Sequence, residues 1–291
     1  MCKRRVILAN VLMAVVAAAA FGQTDVVSVT TGEKRDSDPM VSPNGKHLAF
    51  ASNRTGNFDI YVLTFGQAGI SQLTQSKEDD RYPNWSGDSK KIVFNSKRTG
   101  TGDLYEMSVD GGSGYLQLTS REDIDEYASY ASKGDGLLFA TCPKKMIQVR
   151  PKMSVVYAEE KGRADSARVL AEGDEARFSS DGKKIIFVSA RTKNDDIWIM
   201  NSDGGMQTQL TTDPKDDRNP CFSPDGKRVI FASRRTGNFD LWVMDADGGN
   251  VRQLTTDPRD ETQPCWSSGG YLYYTHKKSE TQSNIHRIKA P

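Results

Sequence analysis

Apolar and polar positions along this chain fall into short runs that recur at a nearly constant interval. KIVFNS (91–96), KIIFVS (184–189) and RVIFAS (228–233) form one set, and DIYVL (59–63), DLYEM (103–107), DIWIM (196–200) and DLWVM (240–244) a second. Each run has strand length, is rich in β-branched and aromatic residues, and is bounded by Gly, Pro or Asp, as strands are. Tight turns precede the first set: PNGK (43–46), GDSK (87–90), SDGK (180–183) and PDGK (224–227). A loop of the form R-T-G-x-x-D joins the two sets. The near-duplicates ASNRTGNFDIYV (51–62) and ASRRTGNFDLWV (232–243) are the clearest copies.

A short segment of the form P-x-aromatic-S, or its replacement, opens each unit: PMVS, PNWS, PCFS and PCWS, with SYA (129–131) and RFS (177–179) as weaker copies. Its anchor residue falls at Ser42, Ser86, Ala131, Ser179, Ser223 and Ser267, in steps of 44, 45, 48, 44 and 44. Six units with this period read as propeller blades. A fourth strand ends in Leu-Thr at Thr74, Thr119, Thr211 and Thr255, each 12 residues before the next anchor (86 − 74). The last unit runs out before its fourth strand, whereas VVSVT (26–30) stands alone with Thr30 12 residues before Ser42. The reading is an all-β, six-bladed β-propeller whose ring closes when the N-terminal strand joins the last blade, removing two free sheet edges. Blades are expected near 31–74, 75–119, 120–170, 171–211, 212–255 and 256–291, completed by strand 26–30. The aromatics before the anchors (Trp85, Tyr130, Phe178, Phe222, Trp266) and on the third strands (Tyr61, Tyr105, Tyr157, Trp198, Trp242) are expected to pack blade against blade.

The first 22 residues break the pattern. Lys3, Arg4 and Arg5 precede a 15-residue apolar run (6–20) and the small residues Ala20 and Gly22, the three parts of a secretory signal peptide. The run is short of the roughly 20 residues a spanning helix needs, and no cysteine follows it, so a lipoprotein is not expected. A periplasmic or secreted protein is expected, with residues 23–291 forming the propeller and no transmembrane segment after cleavage. Removing three basic residues leaves 36 Lys+Arg (39 − 3) against 38 Asp+Glu. Near-neutral charge disfavours nucleic-acid binding. Export permits disulfides, but the mature chain keeps an odd set, Cys142, Cys221 and Cys265. Cys221 and Cys265 hold equivalent places in adjacent first strands and are expected to be buried free thiols.

The units D-x-x-P-x-x-S-P-D-G-K-x-I-x-F-x-S-x-R-x-G-x-x-D-[IL]-[YW] resemble the WD-type repeats of the TolB propeller family, part of the periplasmic Tol–Pal cell-envelope system. Blades one, two, four and five carry the resemblance most strongly, and it extends over 26–291. It implies a six-bladed propeller that docks an envelope protein, a Pal-like lipoprotein being the family's partner. Propellers of this kind also accompany peptidases, so the resemblance speaks for fold before function. The family's α/β domain has no place between the expected cleavage site and the first strand.

Catalytic chemistry is sparsely represented. His47, His276 and His286 are the three histidines, the latter two in blade six without an evident cluster, and no G-x-S-x-G nucleophile motif occurs. No catalytic residue, cofactor or metal is therefore assigned, although Asp-rich loops leave Ca2+ open. Binding is the expected role, by a monomer. The loops before the first strands are acidic and include Asp80 and Asp217. The loops between second and third strands carry Arg54, Arg98, Arg191 and Arg235, each five residues before an aspartate. Each pair is expected to tie its own loop or to join a charged ring that meets a partner. Blade three replaces this loop by TCPKKMIQVRPKMS (141–154), whose Lys144, Lys145, Arg150 and Lys152 would suit an acidic partner. The expected function is a non-catalytic protein-binding scaffold of the bacterial envelope; the alternative is a propeller enzyme or carbohydrate-binding module using the channel mouth.

Overall fold

The computed structural model describes residues 25–110, 114–132, 135–144 and 152–291; the expected signal peptide lies outside them, as do Lys145 and Arg150. The described strands form six four-stranded antiparallel sheets, arranged as a six-bladed propeller. In blade one, Asp36–Val41, His47–Ser52, Asp59–Thr64 and Ile70–Gln72 pair in sequence order. First strands of successive blades touch right round the ring, including blade six against blade one, so they line a central channel.

No blade is a core by itself. Ala49 and Ile60 of blade one pack with Trp85, Ile92 and Phe94 of blade two, and Phe50 and Tyr61 pack with Tyr273 and Ile285 of blade six. Trp85 Nε1 also donates to Met40 O across the first of these seams, at 2.8 Å. The anchor serine acts locally. Ser86 Oγ donates to Asp88 at 2.6 Å, and the Lys91 N–H donates back to Ser86 Oγ at 2.9 Å, which closes the turn.

The closure expected from the spacing is present. Val27–Ser28 pairs with Gln282–Lys289, placing Ser28 opposite His286. The Ile285 N–H donates to Thr30 Oγ1 at 2.9 Å, as the Leu241 N–H donates to Thr255 Oγ1 at 2.9 Å in blade five. Thr30 therefore does for blade six what the Leu-Thr threonine does elsewhere.

Every first strand has a bulge at one place, for example between Ser37 and Met40 and between Arg218 and Cys221. There the chain enters the left-handed region at Asp38, Tyr82, Tyr127, Glu175, Asn219 and Gln263, with φ between 51 and 57. Proline follows at four of the six positions, and it lacks the N–H that the interrupted ladder would leave unpaired. Six equivalent side chains are thereby turned toward the channel.

Candidate functional site

The arginines of the R-T-G loops fold back onto their own blades. Arg98 Nε donates to Ser96 Oγ at 2.7 Å, Nη2 donates to Asp80 Oδ2 at 2.9 Å, and the guanidinium lies 4.6 Å from the Tyr105 ring centroid. Arg54 repeats this with Asp36 (3.0 Å) and Tyr61 (4.6 Å), and Arg235 with Asp217 (2.9 Å) and Trp242 (4.5 Å). The pairing expected with the aspartate five residues later is not made. Asp59 instead accepts from Thr74 Oγ1 at 3.2 Å and from the Ser76 N–H at 3.0 Å, holding the fourth strand. Asp80 and Asp217 are wholly buried, which corrects the expectation that they meet a partner directly. Burial raises the pKa of both despite their serine and arginine neighbours. Acids beside them are also committed: Asp79 accepts the Phe58 N–H and Asp260 the Phe239 N–H, each at 3.0 Å, stitching neighbouring blades together.

Blades three and four depart from this scheme on the same side of the ring. In blade three the arginine comes from the preceding loop, Arg121 Nη2 reaching Asp125 at 3.1 Å. In blade four the carboxylate is lost, because Gly173 stands where other blades have Asp or Glu; a Cβ there would lie 2.2 Å from Val188 O. Arg191 is consequently the exposed member of its set, bonded to Ser189 Oγ (2.9 Å), Gln207 Oε1 (2.6 Å) and the Glu172 carbonyl (2.9 Å) and stacked on Trp198 at 4.4 Å. Lys152 Nζ comes within 3.6 Å of the Glu172 carboxylate, so two of the named cations meet at one residue. Lys144 is exposed at the end of Leu137–Pro143.

Beneath these cations a cavity of about 520 Å³ opens, with Lys152, Arg191, Lys193 and Arg218 among its basic groups and Glu126, Asp174 and Glu175 among its acidic ones. Burial pushes all three carboxyls up, and the adjacent Glu175 and Asp195 charges add to the effect at Asp174. Glu172 and Asp195 complete the acids of the lining, Arg218 being paired with Asp195, while Lys152, Arg191 and Lys193 are the exposed cations at its edge.

The channel narrows between the two faces. Asn219 donates to both Glu175 oxygens, from its N–H at 2.6 Å and from Nδ2 at 2.8 Å, while the Gln263 N–H donates to Asn219 Oδ1 at 3.1 Å. The Asp38 N–H reaches Gln263 Oε1 at 3.1 Å, and the Tyr82 and Tyr127 rings meet at a tilt of 38° with centroids 4.3 Å apart. The space left at this level is about 40 Å³, room for water but not for a ligand. These six residues vary within the otherwise regular D-x-x-P frame, and that variation was the available sequence signal for a channel lining.

Blade six corrects a second expectation. His276 and His286 do form a cluster, their rings stacked at 4.3 Å and 12°. The pairing of Tyr271–Ser279 with Gln282–Lys289 sets Tyr274 opposite His286 and His276 opposite Asn284, while Glu261 faces His276 from the first strand. Among the described residues His276 Nδ1 and both Asn284 side-chain polar atoms are buried without a hydrogen-bond partner, and the Tyr274 hydroxyl interacts with the Glu261 carboxyl. Burial pushes Glu261 up to about 7; burial and then His276 bring His286 down to about 4. His47 is instead a packed histidine, hydrogen-bonded to Thr64 at 3.0 Å and stacked with Trp85. Among the described residues no three His, Cys, Asp or Glu side chains gather as metal ligands. Cys142, Cys221 and Cys265 are free, as expected, though Cys221 is only half-buried.

No curated protein matches the chain. Among solved structures, the putative TolB of Agrobacterium tumefaciens superposes with a TM-score of 0.69 at 17% identity, over 91% of this chain and 97% of that one. TolB of Acinetobacter baumannii gives 0.67 at 19% identity, over 88% of this chain but only 64% of its own length. An oligogalacturonate lyase of Vibrio parahaemolyticus gives 0.64 at 12% identity, over 94% and 95%. Such identities establish a shared fold and leave activity open. The family model of the TolB beta propeller domain matches residues 13–173 and 150–290, nearly the whole sequence, so the chain belongs to the TolB beta propeller domain family.

Proposed function

We propose that this protein is an exported, non-catalytic scaffold of the bacterial cell envelope that binds an acidic segment of a partner protein at the rim between blades three and four. The observation that carries the reading is the convergence of Lys152 and Arg191 on Glu172 above the 520 Å³ cavity. The other loop arginines are held by buried aspartates, whereas Arg191 hydrogen-bonds no carboxylate among the described residues and is exposed. Positive charge at an exposed rim steers an acidic partner and fixes its orientation. Membership of the TolB propeller family supports a protein partner, with a Pal-like lipoprotein the first candidate, and a periplasmic or extracellular site of action.

Calorimetry with the chain from residue 23 onward and a purified Pal-like lipoprotein tests this directly. The combined variant Lys144→Glu, Lys152→Glu, Arg191→Glu should weaken binding by about tenfold or more, with a loss that shrinks as salt is raised. Unchanged affinity in that variant would remove the rim from the site. Retention of envelope glycans with no protein, or turnover of an acidic polysaccharide, would replace the scaffold by the enzyme or carbohydrate-binding reading that the lyase fold likeness keeps in view.

A further inference from the structure

On the opposite face, where the P-x-aromatic-S turns lie, the channel opens again. Two residues beyond each left-handed position the first strands contribute Met40, Asn84, Ser129, Arg177 and Cys221 to one wide mouth, a cavity of about 360 Å³. Cys265, the blade-six member of this level, is buried behind it and donates from Sγ to Met40 Sδ at 3.6 Å.

Arg177 is the charged member of this level. It is half-buried, and the one side-chain hydrogen bond it makes among the described residues crosses the channel from blade four to blade one, Nη1 to Met40 Sδ at 3.8 Å. Thioether sulfur is a weak acceptor, and a guanidinium has five donors to satisfy. Glu175, two residues earlier, is occupied by Asn219 through both of its oxygens. In the neighbouring blade the Ser129 hydroxyl is buried without a partner at the same level. Phe178, Trp266, Pro43 and Pro224 supply apolar walls. A half-buried cation with donors left over, a spare hydroxyl and apolar walls at an open mouth form a receptor for an anion that carries an apolar body. With one arginine and no lysine in the lining, the site matches a single planar charge that can accept in bidentate fashion, a carboxylate, better than the higher charge of a phosphate.

We propose that Arg177 and Ser129 form a carboxylate-binding site in the turn-face mouth of the channel, filled by the terminal carboxylate of a peptide or by the carboxylate of an acidic sugar. The site lies on the face opposite the proposed protein-binding rim and does not depend on it.

Calorimetry, together with the fluorescence of Trp266 at the mouth, can test the site with four probes: N-acetylphenylalanine, its amide, glucuronate and glucose. At least one acid should bind, its neutral counterpart about tenfold or more weaker. Binding of only the acetylated amino acid assigns a peptide terminus, and binding of only glucuronate assigns a sugar; either supports the site. Arg177→Gln should lose about tenfold or more, and Ser129→Ala a few-fold, with circular dichroism and melting unchanged. Met40→Glu places a carboxylate opposite the guanidinium and should block the acids while raising the melting temperature. Equal binding of acid and neutral probes, unimpaired binding by Arg177→Gln or Met40→Glu, or no binding of either acid at millimolar concentration would overturn the proposal.

Discussion

Arg98 rests 2.9 Å from Asp80, eighteen residues earlier, and not against Asp103, five residues later. Asp80 is wholly buried, which disfavours its charge, and the guanidinium joins Ser96 and Thr74 in opposing that cost. Arg98→Met should therefore strand a buried carboxylate and cost about 3 kcal/mol in chemical denaturation. Adding Asp80→Asn should recover part of that loss. Equal stability of Arg98→Met and the parent would assign the pair no structural role.

The arrangement marks the limit of what the sequence disclosed. Spacing of anchors, turns and Leu-Thr ends carried the whole ring, including closure through Thr30, because each is a local requirement repeated in most of the blades. Partner choice was not local. Register sets Ser96 opposite Asp103, yet the arginine side chain passes over its own strand to the first. Long side chains stacked on an aromatic can reach across strands that sequence proximity does not join. The histidine cluster was hidden for a related reason. His276 and His286 straddle a tight hairpin that replaces the R-T-G loop, and only the register reveals that their rings meet. The six channel residues escaped because the left-handed bulge, and not a strand alternation, aims them.

The blade-six cluster sets opposed pH dependences. Glu261, held at about 7 against an ordinary 4.5, keeps a proton in the folded state that the unfolded chain releases. Stability from this group is thus lost as pH rises from about 4.5 through 7. His286, held at about 4 against 6.5, resists a proton that the unfolded chain accepts, so stability is lost as pH falls from about 6.5 toward 4. Between these limits the two slopes oppose each other. Glu261→Gln should gain on the parent at about pH 8, on the order of 2 kcal/mol, and not at pH 4.5. His286→Phe should show its relative gain at the acid end. Denaturation midpoints of the three proteins across pH decide it, and parallel curves would show that neither group titrates as described.

Ring closure combines a short ladder with bonds on either side of it: the Val29 N–H donates to Ile285 O at 2.8 Å and Ser283 Oγ donates to Asp36 O at 2.9 Å. Val27–Ser28 makes a two-residue ladder, and Thr30 Oγ1 accepts the buried Ile285 N–H. Thr30→Val removes that acceptor and should cost about 1–3 kcal/mol, the penalty of a buried donor left unpaired. Thr255→Val in blade five should cost a similar amount in folding, since its geometry is the same. Only the Thr30 variant should also increase hydrogen exchange along Gln282–Lys289, because only there does the bond join the ends of the chain. Equal exchange in the two variants would mean that the ladder and the other closure bonds hold the ends without Thr30.

Gly173 is where blade four surrendered its aspartate. A Cβ there would stand 2.2 Å from the Val188 carbonyl and 2.9 Å from the Phe187 ring, in a backbone conformation (φ 153) that side chains rarely adopt. Gly173→Ala should therefore displace the strand Lys184–Ser189 and destabilise the protein by about 2 kcal/mol or more. The displaced strand carries Ser189, which holds Arg191. If Arg191 contributes to partner capture, Gly173→Ala should weaken capture under conditions where the variant remains folded. Thr30→Val, which also destabilises the protein but at the closure between blades six and one, should leave capture intact. Loss of capture in both would trace the effect to global stability, and loss in Gly173→Ala alone would tie it to the rim between blades three and four.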